Sequence, residues 1–188
     1  QLVGGKYVDQ FEKKIAKFCN VKYAVSLNSG TDALTVALHC AGVEKGDEVI
    51  TAPNSFISSA SVIAHLGAKP VFADVLEDQN IDPDEIEKVI TKKTKAIIPV
   101  HLTGRICEMK KINKIAKSKN IVVIEDAAQA IGSKYYNKMS GSIGHIGCFS
   151  THPLKNLNAS GDGGFITTNN ALYAKRIKKL CNLGIINR

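Results

Sequence analysis

Segments with strand character and segments with helical spacing take turns along this chain, and that alternation leaves few folds open. Val8, Phe11, Ile15 and Phe18 recur at helical spacing with Glu12, Lys13, Lys14 and Lys17 between them, which predicts an opening amphipathic helix. A strand follows from Tyr23 to Leu27, then a turn at Asn28-Ser29-Gly30 and a helix from Thr31 to Leu38 that ends near Gly42. The pattern continues with a strand from Glu48 to Thr51, a helix from Ser55 to Leu66 and a strand from Pro70 to Ala73. Next come a helix from Pro83 to Ile90, a strand from Ala96 to Val100 and a Lys-rich helix from Met109 to Ser118. Ile121-Val122-Val123-Ile124 shows no polar alternation, as expected of a central strand buried on both faces. Shorter strands are predicted at Gly147–Ser150 and Gly164–Thr167, with a last helix from Ala171 to Leu183. No repeat or low-complexity stretch interrupts the series. The expectation is one α/β domain over residues 1–188, three layers in αβα order around a mostly parallel sheet. In such sheets ligands bind beyond the carboxyl ends of the strands, so the polar residues there carry the functional reading.

Composition narrows the class further. The 188 residues are 44% hydrophobic and 22% charged, enough for one globular core and unlike a disordered chain. No apolar run reaches the roughly 18–20 residues of a membrane helix, and no signal peptide opens the chain, so a soluble protein is expected. Five cysteines without a C-x-x-C pair favour neither zinc nor a disulfide framework; free thiols in a reducing cytoplasm fit better. No metal site is expected. The net charge of +8 comes from 25 Lys and Arg against 17 Asp and Glu. Those lysines are scattered along predicted helices with no aromatic ladder between them, which reads as solvated helix faces and not as a nucleic-acid site.

Four strand ends carry chemistry. Asn28-Ser29-Gly30-Thr31-Asp32 joins a strand to a helix start, whose open N–H groups and hydroxyls suit an anion; a plain N-cap is the alternative. Glu125-Asp126-Ala127-Ala128-Gln129 puts two carboxylates at the mouth of the buried strand. Such a carboxylate could hold a protonated ring nitrogen, a metal or a ribose, or merely cap a helix. Ser150-Thr151-His152-Pro153-Leu154-Lys155-Asn156 sets Lys155 among apolar neighbours, where an amine can serve as a nucleophile, with Ser150 and His152 beside it. Gly161-Asp162-Gly163-Gly164 allows close backbone approach, or a simple turn. Phe56, just past another strand end, adds an aromatic ring, although a Phe more often packs in a core. An anion cradle, an aromatic face, a buried acid and a nucleophilic lysine together suit a phosphorylated aromatic aldehyde with a ring nitrogen, which is pyridoxal 5′-phosphate.

The motifs Asn28-Ser29-Gly30-Thr31-Asp32-Ala33-Leu34, Glu125-Asp126-Ala127-Ala128-Gln129-Ala130, Gly147-Cys148-Phe149-Ser150, Pro153-Leu154-Lys155-Asn156 and Gly161-Asp162-Gly163-Gly164 resemble, in order, the DegT/StrS family. That resemblance implies the large domain of a fold-type-I, pyridoxal-phosphate-dependent transferase. It implies transfer of an amino group, from glutamate by family analogy, to a keto group of a nucleotide-linked sugar. By position, Lys155 looks like the lysine that carries the cofactor as a Schiff base, and Asp126 like the partner of the ring nitrogen. Gln129 would bond the phenolic oxygen, Phe56 would stack on the ring, and Gly30, Thr31 and Ser150 would hold the phosphate. His152 falls on the substrate side.

His145, Ile131 and Cys181 depart from the common pattern, at positions where Asp, His and Arg are frequent. A sister group of sugar dehydratases has His in place of the lysine, so Lys155 favours transamination over a dehydratase or lyase. A non-catalytic regulator on the same scaffold is the other alternative. The resemblance further implies a homodimer with shared active sites, and a longer protein with a smaller C-terminal domain and a short N-terminal segment outside this chain.

Overall fold

The computed structural model describes residues 5–182 and 184. Helices α1 (Lys6–Phe18), α2 (Gly30–Cys40), α3 (Ser58–His65), α4 (Pro83–Val89), α5 (Met109–Lys119) and α6 (Ala171–Cys181) alternate with strands. The strands are β1 (Tyr23–Leu27), β2 (Glu48–Thr51), β3 (Lys69–Phe72), β4 (Thr94–Ile98), β5 (Val122–Asp126), β8 (Ile146–Ser150) and β9 (Gly164–Thr168). They form one sheet in the order β1-β9-β8-β5-β4-β2-β3. Only β9 runs against the rest, pairing antiparallel with β1 and β8, whereas β8, β5, β4, β2 and β3 are parallel neighbours. A small antiparallel hairpin, β6 (Lys134–Tyr135) with β7 (Lys138–Met139), was not foreseen from the sequence. Its strands have two residues each, too short to show a period.

The alternation of apolar residues along the central strands builds the layers. Val49, Ile98 and Ile124 face α2, α3 and α6, packing with Leu34, Leu38, Ile63 and Ile177. Their neighbours Ile50, Ile97 and Val123 face the opposite side, against Ile86 of α4 and Met109, Ile112 and Ile115 of α5. A third cluster seats α1 through Ile15 and Cys19 on Phe149 and Phe165, whose rings stack 4.5 Å apart. The three-layer αβα architecture is therefore as expected. The lysines of α5 lie on its exposed face, as solvated charge should.

Several boundaries differ from the sequence reading by one to three residues. Helix α3 begins at Ser58, three residues after Ser55, because Pro53 to Ile57 forms the turn that leads the chain off β2. The predicted end of the last helix at Leu183 lies outside the described residues; α6 closes at Cys181. Pro70 sits in β3, where an edge strand with a single neighbour tolerates a missing N–H.

Candidate active site

Strand β5 ends in Glu125 and Asp126, and the pleat turns these neighbours to opposite faces. Glu125 is wholly buried and fully engaged. Its Oε1 accepts from the N–H groups of Ile143 at 2.7 Å and Gly144 at 2.6 Å, and its Oε2 accepts from Gly141 at 2.8 Å. Oε2 also lies 3.0 Å from His101 Nε2. Because His101 Nδ1 accepts the Cys107 N–H at 3.3 Å, the ring's donor to Glu125 is Nε2. Glu125 thus pins the loop after β7 to the end of β4.

Asp126 has a different environment. It is 7% exposed; its Oδ2 accepts from the Ser59 hydroxyl at 2.8 Å and its Oδ1 from the Ala128 N–H at 3.2 Å. Burial pushes its carboxyl above the usual range, while the Ser59 and Ala128 bonds and, more weakly, Lys155 pull it back. Among the described residues no cationic side chain forms an ion pair with it. A buried carboxylate with two hydrogen bonds and no close cation is a site that a protonated ring nitrogen completes.

The anion cradle forms where β1 meets α2. The Ser29 side chain takes the Asp32 N–H at 3.0 Å and its carbonyl takes that of Ala33 at 3.1 Å, which leaves the Gly30 and Thr31 N–H groups for a ligand. Asp32 is itself held by the Asn28 amide. Gly30 lies against Ser150 at the end of β8: a Cβ built on Gly30 would come 2.7 Å from the Ser150 Cβ. Gly164, the first residue of β9, abuts Ser29 in the same way and backs the cradle, while Gly163 before it abuts the Thr151 hydroxyl. Thr31 Oγ1 lies 2.8 Å from Ser58 Oγ.

Lys155 follows β8 in a turn closed by its own N–H on the His152 carbonyl at 2.8 Å, and it is half-buried. Asp126 pairs with Cys148 on the neighbouring strand β8, which leads to Lys155, so lysine and acid lie off adjacent strand ends although 29 residues separate them in sequence. His152 is exposed; its Nδ1 accepts the Leu154 N–H at 3.2 Å and its own N–H donates to Ser150 Oγ at 3.3 Å. Gln129 Oε1 accepts the Thr103 N–H at 2.8 Å, which leaves the side-chain NH2 as its outward donor. Phe56, 71% exposed, precedes Ser58 and Ser59 on the turn into α3.

Sequence reasoning missed Ser58, Ser59, Thr103 and His101. Thr103 stands at φ 53°, a left-handed conformation that no threonine signals in advance. The residues at this rim suit pyridoxal phosphate: a helix start with two open N–H groups beside hydroxyls, and a buried acid awaiting a cation.

A family model, DegT/DnrJ/EryC1/StrS aminotransferase family, matches residues 1–188. The chain belongs to that family. It is 48% identical over 175 residues to the "Pleiotropic regulatory protein" of Geobacillus stearothermophilus, covering 93% of this chain and 47% of that one. It is 42% identical to the GDP-perosamine synthase of Caulobacter vibrioides, over 96% of this chain and 49% of the relative. Among solved structures, S. venezuelae DesV in complex with a ketimine intermediate superposes with a TM-score of 0.96 at 37% identity, covering 98% of this chain and 50% of DesV. Helicobacter pylori PseC, an aminotransferase of pseudoaminic acid biosynthesis, gives 0.94 at 33% identity, over 100% of this chain and 51% of PseC. The chain therefore spans about half the length of the DegT-family relatives it matches, and the fold-type-I character expected of it agrees with these neighbours.

Proposed function

We propose that this chain is the large, cofactor-binding domain of a pyridoxal 5′-phosphate-dependent aminotransferase that moves an amino group from glutamate to a keto group of a nucleotide-linked sugar. The observation that carries the reading is Asp126: buried, without an ion pair among the described residues, and on the strand beside the one that leads to Lys155. When bound, the cofactor supplies an aldehyde that takes up nitrogen and a protonated ring that accepts electrons. Asp126 would hold the ring nitrogen protonated, and the Gln129 NH2 would donate to the phenolic oxygen. Gly30, Thr31 and Ser150 would bind the phosphate, and Phe56 would cover the ring. The Lys155 Nζ would attach the cofactor and, once released, move the proton between the donor Cα and the cofactor's C4′ carbon, as general base and then general acid. Among the described residues His152 Nε2 has no hydrogen-bond partner, and His152 would face the substrate side.

Exposed Phe56, Ile57 and Leu154 around this rim support a homodimer that covers them. Five unpaired cysteines support a cytoplasmic protein. No helix among the described residues is long and apolar enough to cross a membrane, and neither membrane nor nucleic-acid binding enters the reading.

The deciding experiment uses the full-length protein with glutamate and 3-keto or 4-keto sugar nucleotides. Wild type should absorb near the visible edge, be trapped by borohydride at Lys155 and transfer the amino group; Lys155→Ala should do none of these. A reducible cofactor retained in Lys155→Ala overturns the assignment. A second reading, a regulator on this scaffold, is favoured by the name of the 48% identical relative. It prevails if the full-length protein is colourless and takes up no pyridoxal phosphate.

A further inference from the structure

Helix α3 opens with two buried serines, and each reaches a different part of the site. Ser58 Oγ lies 2.8 Å from Thr31 Oγ1 in the phosphate cradle, and Ser59 Oγ donates to Asp126 Oδ2 at 2.8 Å. Ser59 has one hydrogen and gives it to Asp126, so the 3.4 Å contact from Ser55 Oγ is one that Ser59 accepts. Successive residues on a helix point about 100° apart, so these two serines can hold two targets at a fixed separation. Both are buried and neither carries charge, which makes a hydrogen-bonding role the physical reason for placing hydroxyls there.

We infer that Ser58 and Ser59 are positioning residues that tie the phosphate cradle to the ring acid through one turn of helix, setting the spacing between the two ends of the cofactor. This rests on the function proposed above. Ser58 holds the Thr31 hydroxyl toward the phosphate. Ser59 aims the Asp126 carboxylate and opposes the upward push of its burial. The other groups acting on Asp126 come from every side: the Ala128 N–H beyond β5, His101 at the end of β4, and Lys155 beyond β8. The Cys148 thiol on β8 also feels the Asp126 charge and is held protonated by burial.

The test titrates full-length, cofactor-free protein with pyridoxal phosphate and with phosphate-free pyridoxal, following absorbance across pH. Ser58→Ala should weaken pyridoxal phosphate by about tenfold and leave pyridoxal nearly unchanged, as loss of a phosphate-side hydrogen bond implies. Ser59→Ala should weaken both by about tenfold or more and shift the pH dependence of the bound cofactor's absorbance, with Ser59→Thr restoring wild-type behaviour. Should Ser59→Ala fail to fold, Ser59→Cys, a weaker donor, gives the same comparison with Ser59→Thr. Equal losses for both ligands in both variants, with an unchanged pH profile, would mean the serines only stabilise the helix, and would overturn the inference. If wild type takes up neither ligand, the parent function fails and the inference falls with it; if wild type binds and both variants match it, the inference alone is lost.

Discussion

Gly30 and Ser150, which start a helix and end a strand, pack so closely that a Cβ on Gly30 would lie 2.7 Å from the Ser150 Cβ. That contact brings the first N–H groups of α2 to the strand-end rim. Gly30→Ala must therefore push α2 away from β8, with an overpacking cost of about 1–3 kcal/mol. Cofactor affinity should fall along with the thermal midpoint. Gly161 has nothing within 4 Å of its would-be Cβ, so Gly161→Ala is the control and should stay within about 0.5 kcal/mol of wild type. Melting curves of both variants, with and without pyridoxal phosphate, check the pair.

The buried Asp126 makes a signed prediction about pH. Its carboxyl is raised in the cofactor-free fold, chiefly by burial, above the ordinary unfolded value of about 3.9. A raised folded value means the native state binds the proton more tightly than the unfolded chain. The stabilising contribution is complete below the ordinary carboxyl range and is lost as pH rises through the raised value. Asp126→Asn removes that loss. The difference in melting temperature between Asp126→Asn and wild type, both cofactor-free, should move in favour of the variant as pH rises from the ordinary carboxyl range to neutrality. A difference that does not change with pH would contradict the burial argument. With cofactor bound, the ring cation should reverse the preference and make wild type the more stable protein at neutral pH.

Much of the fold and of the site is legible in the sequence. The unbroken apolar run at Ile121–Ile124 identified the central strand because burial on both faces removes polar alternation. The strand-end rule then pointed to Asp126 and Ser150, which close β5 and β8, and to Gly30, which opens α2 after β1. Strand position alone could not tell Glu125 from Asp126, since both stand at the mouth of the same strand; only the family resemblance singled out Asp126. Only the pleat direction sends one to His101 and the backbone N–H groups and the other to Ser59. Ser58 and Ser59 were hidden inside a predicted helix, where serine is unremarkable and the two contacts span 27 and 67 residues. The Thr103 N–H acts through the backbone, so no side-chain motif could announce it.

Glu125 carries a prediction about stability alone. Removing its carboxylate strands three backbone N–H groups and the His101 Nε2 donor in a site with no water access from the side chain's 0% exposure. Glu125→Ala should lower stability by about 3 kcal/mol or more, since each stranded buried donor costs about 1–3 kcal/mol. At this size that corresponds to a melting shift of roughly 6–12 °C. Glu125→Gln keeps the shape but turns an NH2 toward N–H donors, and should recover only part of the loss. Denaturant titration with an unchanged slope would assign the effect to the native state.

The cysteines give the last prediction, about accessibility. Cys19, Cys40, Cys107 and Cys148 are buried, and Cys181 is exposed at the end of α6. Burial pushes the Cys19 and Cys40 thiols up to about 11 and that of Cys107 to about 12, and raises Cys148 well above its usual value. The thiolate is the reacting form, so at pH 8 these four are protected twice, by sterics and by protonation. Burial raises the Cys181 thiol too, but its side chain meets solvent, so accessibility singles it out. Brief alkylation of the native protein at pH 8, followed by peptide mass mapping, should modify Cys181 and leave the other four intact. Unfolding in guanidinium should make all five equally reactive. Fast modification of Cys148 in the native protein would mean that the strand end beside Asp126 opens to solvent, and that the buried acid on which the site depends is not held as described.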